Sequence, residues 1–376
     1  MDSCDVLVVG GGPAGSSCAW GLRDSGLSVV VLDRARFPRD KVCAGWITPQ
    51  VLDALAVDPA DYRKERILEP IHGFCVSRRG DAESVARHGS VVSYGVRRCE
   101  FDHYLLERCA AHLRLGEPLR SLRRDAGCWI VNESLAARLV VGAGGHFCPV
   151  ARHLGARPGP GEPTVVAREI EFEMTRAQSA RCAARPELPE LFFEPDLRGY
   201  GWLVRKGDWL NVGLGRQDTE GLPAHVDGFL DFLVARGRVP ADMPRGLRGH
   251  AYLLYDQAPR PLGGDAVLLL GDAAGLAYGR SGEGIRPAVE SGLLAARALR
   301  AAAPSLDQGV LSSYEAALAR RFGRRHGRVR AGLTDLLPPR WRGPVVGRLL
   351  GAAWFARRIV VDRWFLHREI PTLAAD

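Results

Sequence analysis

The chain has 376 residues and a net charge of +8, with 25% charged and 46% apolar residues; it is long enough for a large core, and this composition excludes a long disordered region. Its nine cysteines are scattered, with no Cys-x-x-Cys pair and no paired Cys/His spacing, which argues against a disulfide scaffold or a structural zinc site and fits a reducing cytoplasm. No apolar stretch is long enough to span a bilayer, since the best candidate, 345–366, is interrupted by Arg348, Arg357, Arg358, Asp362 and Arg363.

Met1-Asp2-Ser3-Cys4-Asp5 has no basic n-region and runs straight into a strand, the pattern expected without a signal peptide. Residues 5–9 read as a buried strand, Gly10-Gly11-Gly12-Pro13-Ala14-Gly15 as a turn into a helix to about residue 25, and 28–32 as a second strand ending at Asp33. This is a βαβ unit, and its continuous apolar strands are those of a parallel sheet covered on both faces. An irregular segment from Arg34 to Pro49 follows. Tyr94-Gly95-Val96-Arg97-Arg98 leads into a helix expected over 101–113, and a third strand, 137–141, ends in Gly142-Ala143-Gly144-Gly145. Pro158-Gly159-Pro160-Gly161 marks a domain crossing. Beyond it, 165–173 and 191–215 alternate as antiparallel strands, with a hairpin turn at Lys206-Gly207-Asp208. The chain returns to the first domain at 266–270, an alanine-rich helix is expected over 283–303, and the last part reads as short helices broken by Pro338, Pro339 and Pro344.

The expected fold is therefore α/β: a Rossmann-type domain with a parallel sheet (1–70, 95–160 and 262–305), an antiparallel-sheet substrate domain (71–94 and 161–261) and a C-terminal helical, Arg-rich segment (306–376).

Gly10 allows the tight turn, Gly12 lets the backbone approach a pyrophosphate, and Gly15 lets helix and strand pack closely. Pro13 and Ala14 open the helix, whose free N–H groups and dipole favour phosphate. Asp33, 18 residues after Gly15, is placed to accept hydrogen bonds from a ribose. A second glycine turn, Gly271-Asp272-Ala273-Ala274-Gly275, follows the apolar 267–270, and Ser281-Gly282-Glu283-Gly284-Ile285 opens the next helix. A dissociating nicotinamide cofactor needs no second loop, so the pair points to FAD. Asp272 suits a helix cap and a ribityl contact alike. The helix start near Pro287 would aim its positive end at the flavin pyrimidine.

These turns, with Phe37-Pro38-Arg39-Asp40-Lys41-Val42-Cys43-Ala44-Gly45, Arg98-Cys99-Glu100-Phe101-Asp102 and Gly199-Tyr200-Gly201-Trp202, resemble the geranylgeranyl reductase group of flavoproteins, relatives of para-hydroxybenzoate hydroxylase and of flavin-dependent halogenases. The resemblance implies that Gly10, Gly12, Pro13, Ala14, Gly15, Asp33 and Arg34 hold the ADP half of FAD. It places Arg98, Gly271 and Asp272 on the cofactor's middle, and Gly282, Gly284 and Ile285 along the ring. Lys41, Cys43, Ala44 and Gly45 would pass close to the isoalloxazine, and Tyr200 and Trp202 would line the substrate cavity. It implies reduction of C=C bonds in an isoprenoid-like substrate, with NAD(P)H, ferredoxin or a separate reductase as electron donor.

Two departures stand out. The hydroxylases' Asp-Gly pair after the third strand is absent, and the reductases' Phe-Pro after Tyr-x-Trp is replaced by Leu203-Val204-Arg205. A hydroxylase acting on an aromatic or polyketide compound is the alternative. A halogenase is weaker, because the Trp-x-Trp-x-Ile-Pro segment is lacking and the only lysines are Lys41, Lys64 and Lys206. Cys43, Tyr278 and Glu283 are candidate proton donors, against roles as filler or support. Tyr200 and Trp202 share a strand face, for substrate or for core packing. His146 and His153 read as structural, and Gly279-Arg280-Ser281-Gly282-Glu283 misses the hydrolase elbow.

From Arg320 onward 13 arginines stand against four acids, so this stretch carries the whole net charge. Interleaved with Trp341, Trp354, Phe355, Trp364 and Phe365, it suits a solvated helical face, an anionic membrane surface or an acidic carrier or redox partner. Nucleic acid is not expected. A cytoplasmic protein, peripheral on the inner membrane face, is the expected location.

Overall fold

In this computed structural model, residues 1–159, 162–306, 309–325 and 339–374 are described. In chain order the elements begin with β1 (Asp2–Val9), α1 (Pro13–Gly21), β2 (Val29–Asp33), β3 (Trp46–Ile47), α2 (Pro49–Ala54), α3 (Pro59–Tyr62), β4 (Leu68–Ile71), β5 (Gly73–Arg78), β6 (Ser84–Arg87), β7 (Ser93–Val96) and α4 (Arg98–Glu107). Next come β8 (His112–Leu115), β9 (Leu122–Asp125), β10 (Cys128–Val131), β11 (Leu135–Gly142), α5 (Pro149–His153), β12 (Thr164–Glu173), α6 (Arg176–Arg181), β13 (Glu190–Phe193), β14 (Gly199–Lys206), β15 (Trp209–Arg216) and α7 (Leu222–Ala235). The chain closes with β16 (Arg248–Leu253), β17 (Gly263–Gly264), β18 (Val267–Leu269), α8 (Ile285–Ala302), α9 (Gly309–Phe322), α10 (Pro339–Leu350), α11 (Ala353–Phe355) and a π-helical stretch, Ala356–Phe365.

Two compact units form. The first takes the described residues of 1–40, 99–163 and 252–329; the second takes those of 41–98, 164–251 and 330–376. The division differs from the expected boundaries because segments distant in the chain pair with one another. β3 and β4 hydrogen-bond to β7, which holds 41–98 together. α9 packs on α8, whereas α10, α11 and the π-helical stretch pack on β5 and β6.

In the first unit the sheet runs β17-β18-β11-β1-β2-β8, with β9 and β10 attached to β11. β18, β11, β1, β2 and β8 are parallel. Val6, Leu7 and Val8 are fully buried, as central strands covered on both faces must be. The helix expected over 101–113 instead ends at Glu107, and His112–Leu115 forms β8 beside β2. Pairing at the sheet edge overrides the helical spacing there, and Ala110, with φ +52°, makes the turn.

In the second unit the sheet order is β16-β12-β15-β14-β13-β5-β6. β14 and β15 form the expected hairpin, closed at Gly207-Asp208. One sheet face is apolar: Leu203, Leu210, Val212 and Leu214 pack with Phe192 and with Phe229 and Leu233 of α7. The other face carries Glu169, Glu171, Trp202, Lys206 and Asn211, the alternation that a period of two imposes. α10 runs through Pro344 rather than breaking there, and Pro338 lies outside the described residues. Among the described residues no helix is long and apolar enough to cross a membrane.

Candidate active site

In the first unit, β1 delivers the chain into Gly10, whose φ of +116° is open to glycine at little cost. A Cβ on Gly10 would overlap the Ala143 carbonyl, and one on Gly15 would overlap the Gly10 carbonyl, so strand, turn and helix meet at backbone distance. Gly12 differs: a Cβ there would meet only Arg39, at 3.4 Å, and no side chain caps the start of α1. The N–H groups of that first turn therefore face outward from the packed glycines, as an anion site requires. Asp33 Oδ2 accepts the Gly11 N–H at 2.7 Å and Oδ1 accepts that of Ala35 at 2.8 Å. Asp33 thus fixes the turn directly, while the neighbouring Arg34 is exposed.

The second glycine turn lies against the first. Gly271 opens a 3-10 turn, Gly271–Ala273, and a Cβ on it would sit 3.2 Å from the Cβ atoms of Ala14 in α1 and Ala288 in α8. The Asp272 carboxylate reaches to 3.3 Å from where Gly284 would carry a Cβ. Asp272 is therefore within the turn, not a cap of a long helix. Ile285 begins α8, and Glu283 Oε1 accepts the Arg286 N–H at 2.7 Å. Burial pushes Glu283 up to about 7. Burial likewise raises Tyr278 above the usual phenol range, so its hydroxyl keeps its proton at neutral pH.

Two motifs that looked separate in the chain meet beside the first glycine turn. Arg39 pairs with the fully buried Asp102 at 3.1 Å, joining Phe37–Asp40 to the start of α4, which Arg98 opens. Behind the second turn, Arg260 donates to the carbonyls of Asp272 and Ala273 at 3.3 Å and binds Glu162 through two nitrogens at 2.8 and 2.9 Å. His146 gives Arg260 its carbonyl oxygen at 2.8 Å.

In the second unit, Lys41, Cys43, Ala44 and Gly45 run along the polar face of the sheet. Asn211 is the hub. Its Oδ1 accepts the Trp202 indole N–H at 2.8 Å, and its Nδ2 donates to the Cys43 carbonyl at 3.1 Å and to Glu169 at 3.1 Å. Glu169 in turn accepts the Cys43 N–H, and burial raises its pKa. The Cys43 peptide is so gripped at both ends. Buried Lys206 pairs with Glu171 at 2.6 Å and fills the space beside Gly45 that a Cβ would need. Lys41 Nζ lies 2.9 Å from His250 Nε2. Trp202 packs over Gly213, which has no side chain to obstruct it. The half-buried Tyr200 lies on the same face, with ring centroids 6.0 Å from Trp202 and 5.3 Å from Phe365.

Sequence reasoning missed Asn211, Glu169, Lys206, Arg260 and the Arg39–Asp102 pair. Only for the buried acids was there a signal: Glu169 and Glu171 alternate with Ile170 and Phe172, which puts them on one strand face. All nine cysteines are free, and no group of residues able to hold a metal ion occurs among the described residues.

The residues present fit FAD: an uncapped helix start, an acid at the end of β2, and a second glycine turn packed on the first. Residues 5–90 match the family model described as FAD dependent oxidoreductase. The chain is similar to a menaquinone reductase of Mycobacterium tuberculosis, at 31% identity over 96% of this chain and 91% of that one. It is also similar to a geranylgeranyl diphosphate reductase of Rhodobacter capsulatus, at 30% identity over 79% and 75%. Among solved structures, a geranylgeranyl bacteriochlorophyll reductase-like protein of Thermoplasma acidophilum shares the fold, with a TM-score of 0.76 over 98% of both chains at 19% identity. With its two glycine turns packed together and this likeness running almost end to end, the chain belongs to the geranylgeranyl reductase family of FAD-dependent oxidoreductases.

Proposed function

We propose that this enzyme reduces carbon–carbon double bonds of a hydrophobic, isoprenoid-like substrate. The observation that carries the reading is the near end-to-end likeness to reductases named for prenylated substrates, one of them spanning 96% of the chain. Reduced FAD, when bound, supplies the hydride. The chain's own residues bind, orient and exclude water. Gly10, Gly12, Pro13, Ala14 and Gly15 would hold the pyrophosphate, Asp33 the ribose with Arg34 alongside, and Arg98, Gly271 and Asp272 the middle of the cofactor. Gly282, Gly284 and Ile285 are assigned to the ring, as are Lys41, Cys43, Ala44 and Gly45. The bracket of Glu169 and Asn211 supports this assignment for Cys43, because a peptide held at both ends gives a flat cofactor a fixed wall.

Tyr200 and Trp202 are assigned to the substrate, and Cys43, Tyr278 or a water to the proton. The electron donor is NAD(P)H, ferredoxin or a separate reductase, and the location we assign is the cytoplasm, peripheral on the inner membrane face, where a hydrophobic substrate would be reached. The test bypasses the donor: dithionite-reduced, FAD-loaded protein is mixed anaerobically with geranylgeranyl diphosphate or a menaquinone, and the products are weighed. A gain of two hydrogens supports the reading. Substrate-stimulated oxygen uptake in air, with a gain of one oxygen atom, would replace it by the hydroxylase.

A further inference from the structure

We propose that the face formed by β6, α11 and the π-helical stretch docks on an anionic phospholipid bilayer. The inference rests on the hydrophobic-substrate reading only for its purpose; the surface itself is argued from its own residues.

β6 is the outer strand of the seven-stranded sheet, and α11 and the π-helical stretch pack on it. Trp354 of α11 is 61% exposed, and Val85 of β6 is 46% exposed. A large apolar side chain at that exposure is costly in water, and Trp354 adjoins other rings. Trp354 stacks edge-on to Phe355 with centroids 5.6 Å apart, and Phe355 to Trp364 at 6.0 Å.

Around these rings arginines outnumber acids. Arg348, Arg357, Arg358 and Arg363 are exposed. Over 344–374 five arginines stand against two acids. Both acids are engaged: Asp362 with His88 at 2.8 Å and Arg368 at 3.4 Å, and Glu369 with Arg363 at 3.9 Å. The excess positive charge therefore points to a negatively charged partner.

Tryptophan interleaved with arginine selects a bilayer over an acidic protein. The indole ring settles at the headgroup level, and arginine stems lie along the apolar layer while their guanidinium groups reach phosphates. The patch also continues inward. Trp364 is followed by Phe365, which is fully buried against Tyr200 at 5.3 Å and Phe193 at 6.5 Å. Phe365 thus links the surface rings to the aromatic row to which the substrate is assigned.

The test uses the full-length, FAD-loaded protein and vesicle flotation. Wild type should float with vesicles of equal parts phosphatidylglycerol and phosphatidylcholine, with a tryptophan blue shift, and should detach as salt rises. Trp354→Ser should weaken binding about tenfold. Each arginine removed should cost about fivefold, so Arg357→Glu with Arg358→Glu should cost more than Trp354→Ser. Wild type remaining unbound, or these variants floating like wild type, would overturn the proposal. So would a dimer in light scattering that Trp354→Ser dissolves, because a second copy would then be the occupant. FAD absorbance and turnover of detergent-dispersed substrate are read on the same samples. Wild type that fails to float while its turnover is intact refutes docking alone, and flotation without any two-hydrogen gain refutes the reductase reading alone.

Discussion

Replacing Gly292 by alanine inserts one methyl group at the narrowest point between α1 and α8. In an exposed helix interior the change stabilises by about 0.5–1 kcal/mol, because glycine loses more backbone entropy on folding than alanine does. At Gly292 the new Cβ would overlap the Ala14 carbonyl and lie 2.9 Å from the Cys18 nitrogen and 3.0 Å from Ser17 Cβ. Non-bonded carbons settle at roughly 3.5 Å, so α1 must retreat by about 1 Å. None of these is the tip of a flexible side chain; the Ala14 oxygen and the Cys18 nitrogen are helix backbone. Overpacking of this kind costs roughly 1–3 kcal/mol, which outweighs the helical gain and leaves a net loss of about 1–2 kcal/mol. Gly228 in α7 is the control, since it is exposed and a Cβ there would meet only Arg79 at 3.6 Å. Urea unfolding followed by circular dichroism should place Gly292→Ala below wild type and Gly228→Ala slightly above it. Retreat of α1 also moves Ala14 away from Gly271, so flavin released on dilution should rise in Gly292→Ala and not in Gly228→Ala. If the two variants were equally stable and held FAD equally well, the packing of the two glycine turns on one another would not support the cofactor site.

Asp33→Ala removes the acceptor for the Gly11 and Ala35 N–H groups as well as any ribose contact, and should weaken FAD binding about tenfold in equilibrium dialysis; unchanged affinity would remove its role. Asn211→Leu leaves the Trp202 indole and the Cys43 carbonyl without their partner and should cost about 1–3 kcal/mol for each group left buried, measured by thermal unfolding; a variant as stable as wild type would show the bracket to be dispensable. Glu190, buried beside Arg238, is pushed up to about 7 from an ordinary 4.5 by loss of solvent. A raised carboxyl pKa means that the folded state holds the proton more tightly, so its contribution is full below about 4.5 and is lost as pH rises through 7. The loss amounts to about 3 kcal/mol, and Glu190→Gln should escape it. The difference in Tm between the variant and wild type should therefore grow between pH 5 and 8, by roughly this amount of stability; a difference independent of pH would contradict the buried neutral acid.

What was legible in the chain was local. The glycine turn between β1 and α1, the acid closing β2 and the hairpin at Gly207-Asp208 are each written within one or two neighbouring elements, where hydrophobic period and turn chemistry act. Two strand–turn–helix patterns also implied a long cofactor, because a nucleotide site repeats its backbone requirements near both ends. The helix expected over 101–113 failed for the opposite reason. His112–Leu115 has no preference strong enough to resist an open edge on β2.

The polar bracket under Cys43 was beyond sequence reading, since it joins residues 43, 169, 202 and 211 from different strands and a loop. No spacing encodes it; strand register does, by bringing Asn211 opposite Glu171 and Trp202 opposite Gly213. The same holds for Arg39 with Asp102, and for Gly292 against Ala14. The sequence by itself determined which backbone shapes are available at each turn, because φ restrictions and side-chain alternation are properties of a few consecutive residues. Which of those turns touch, and which buried charges find partners, was decided only by packing, where the energy depends on groups the chain brings together from far apart.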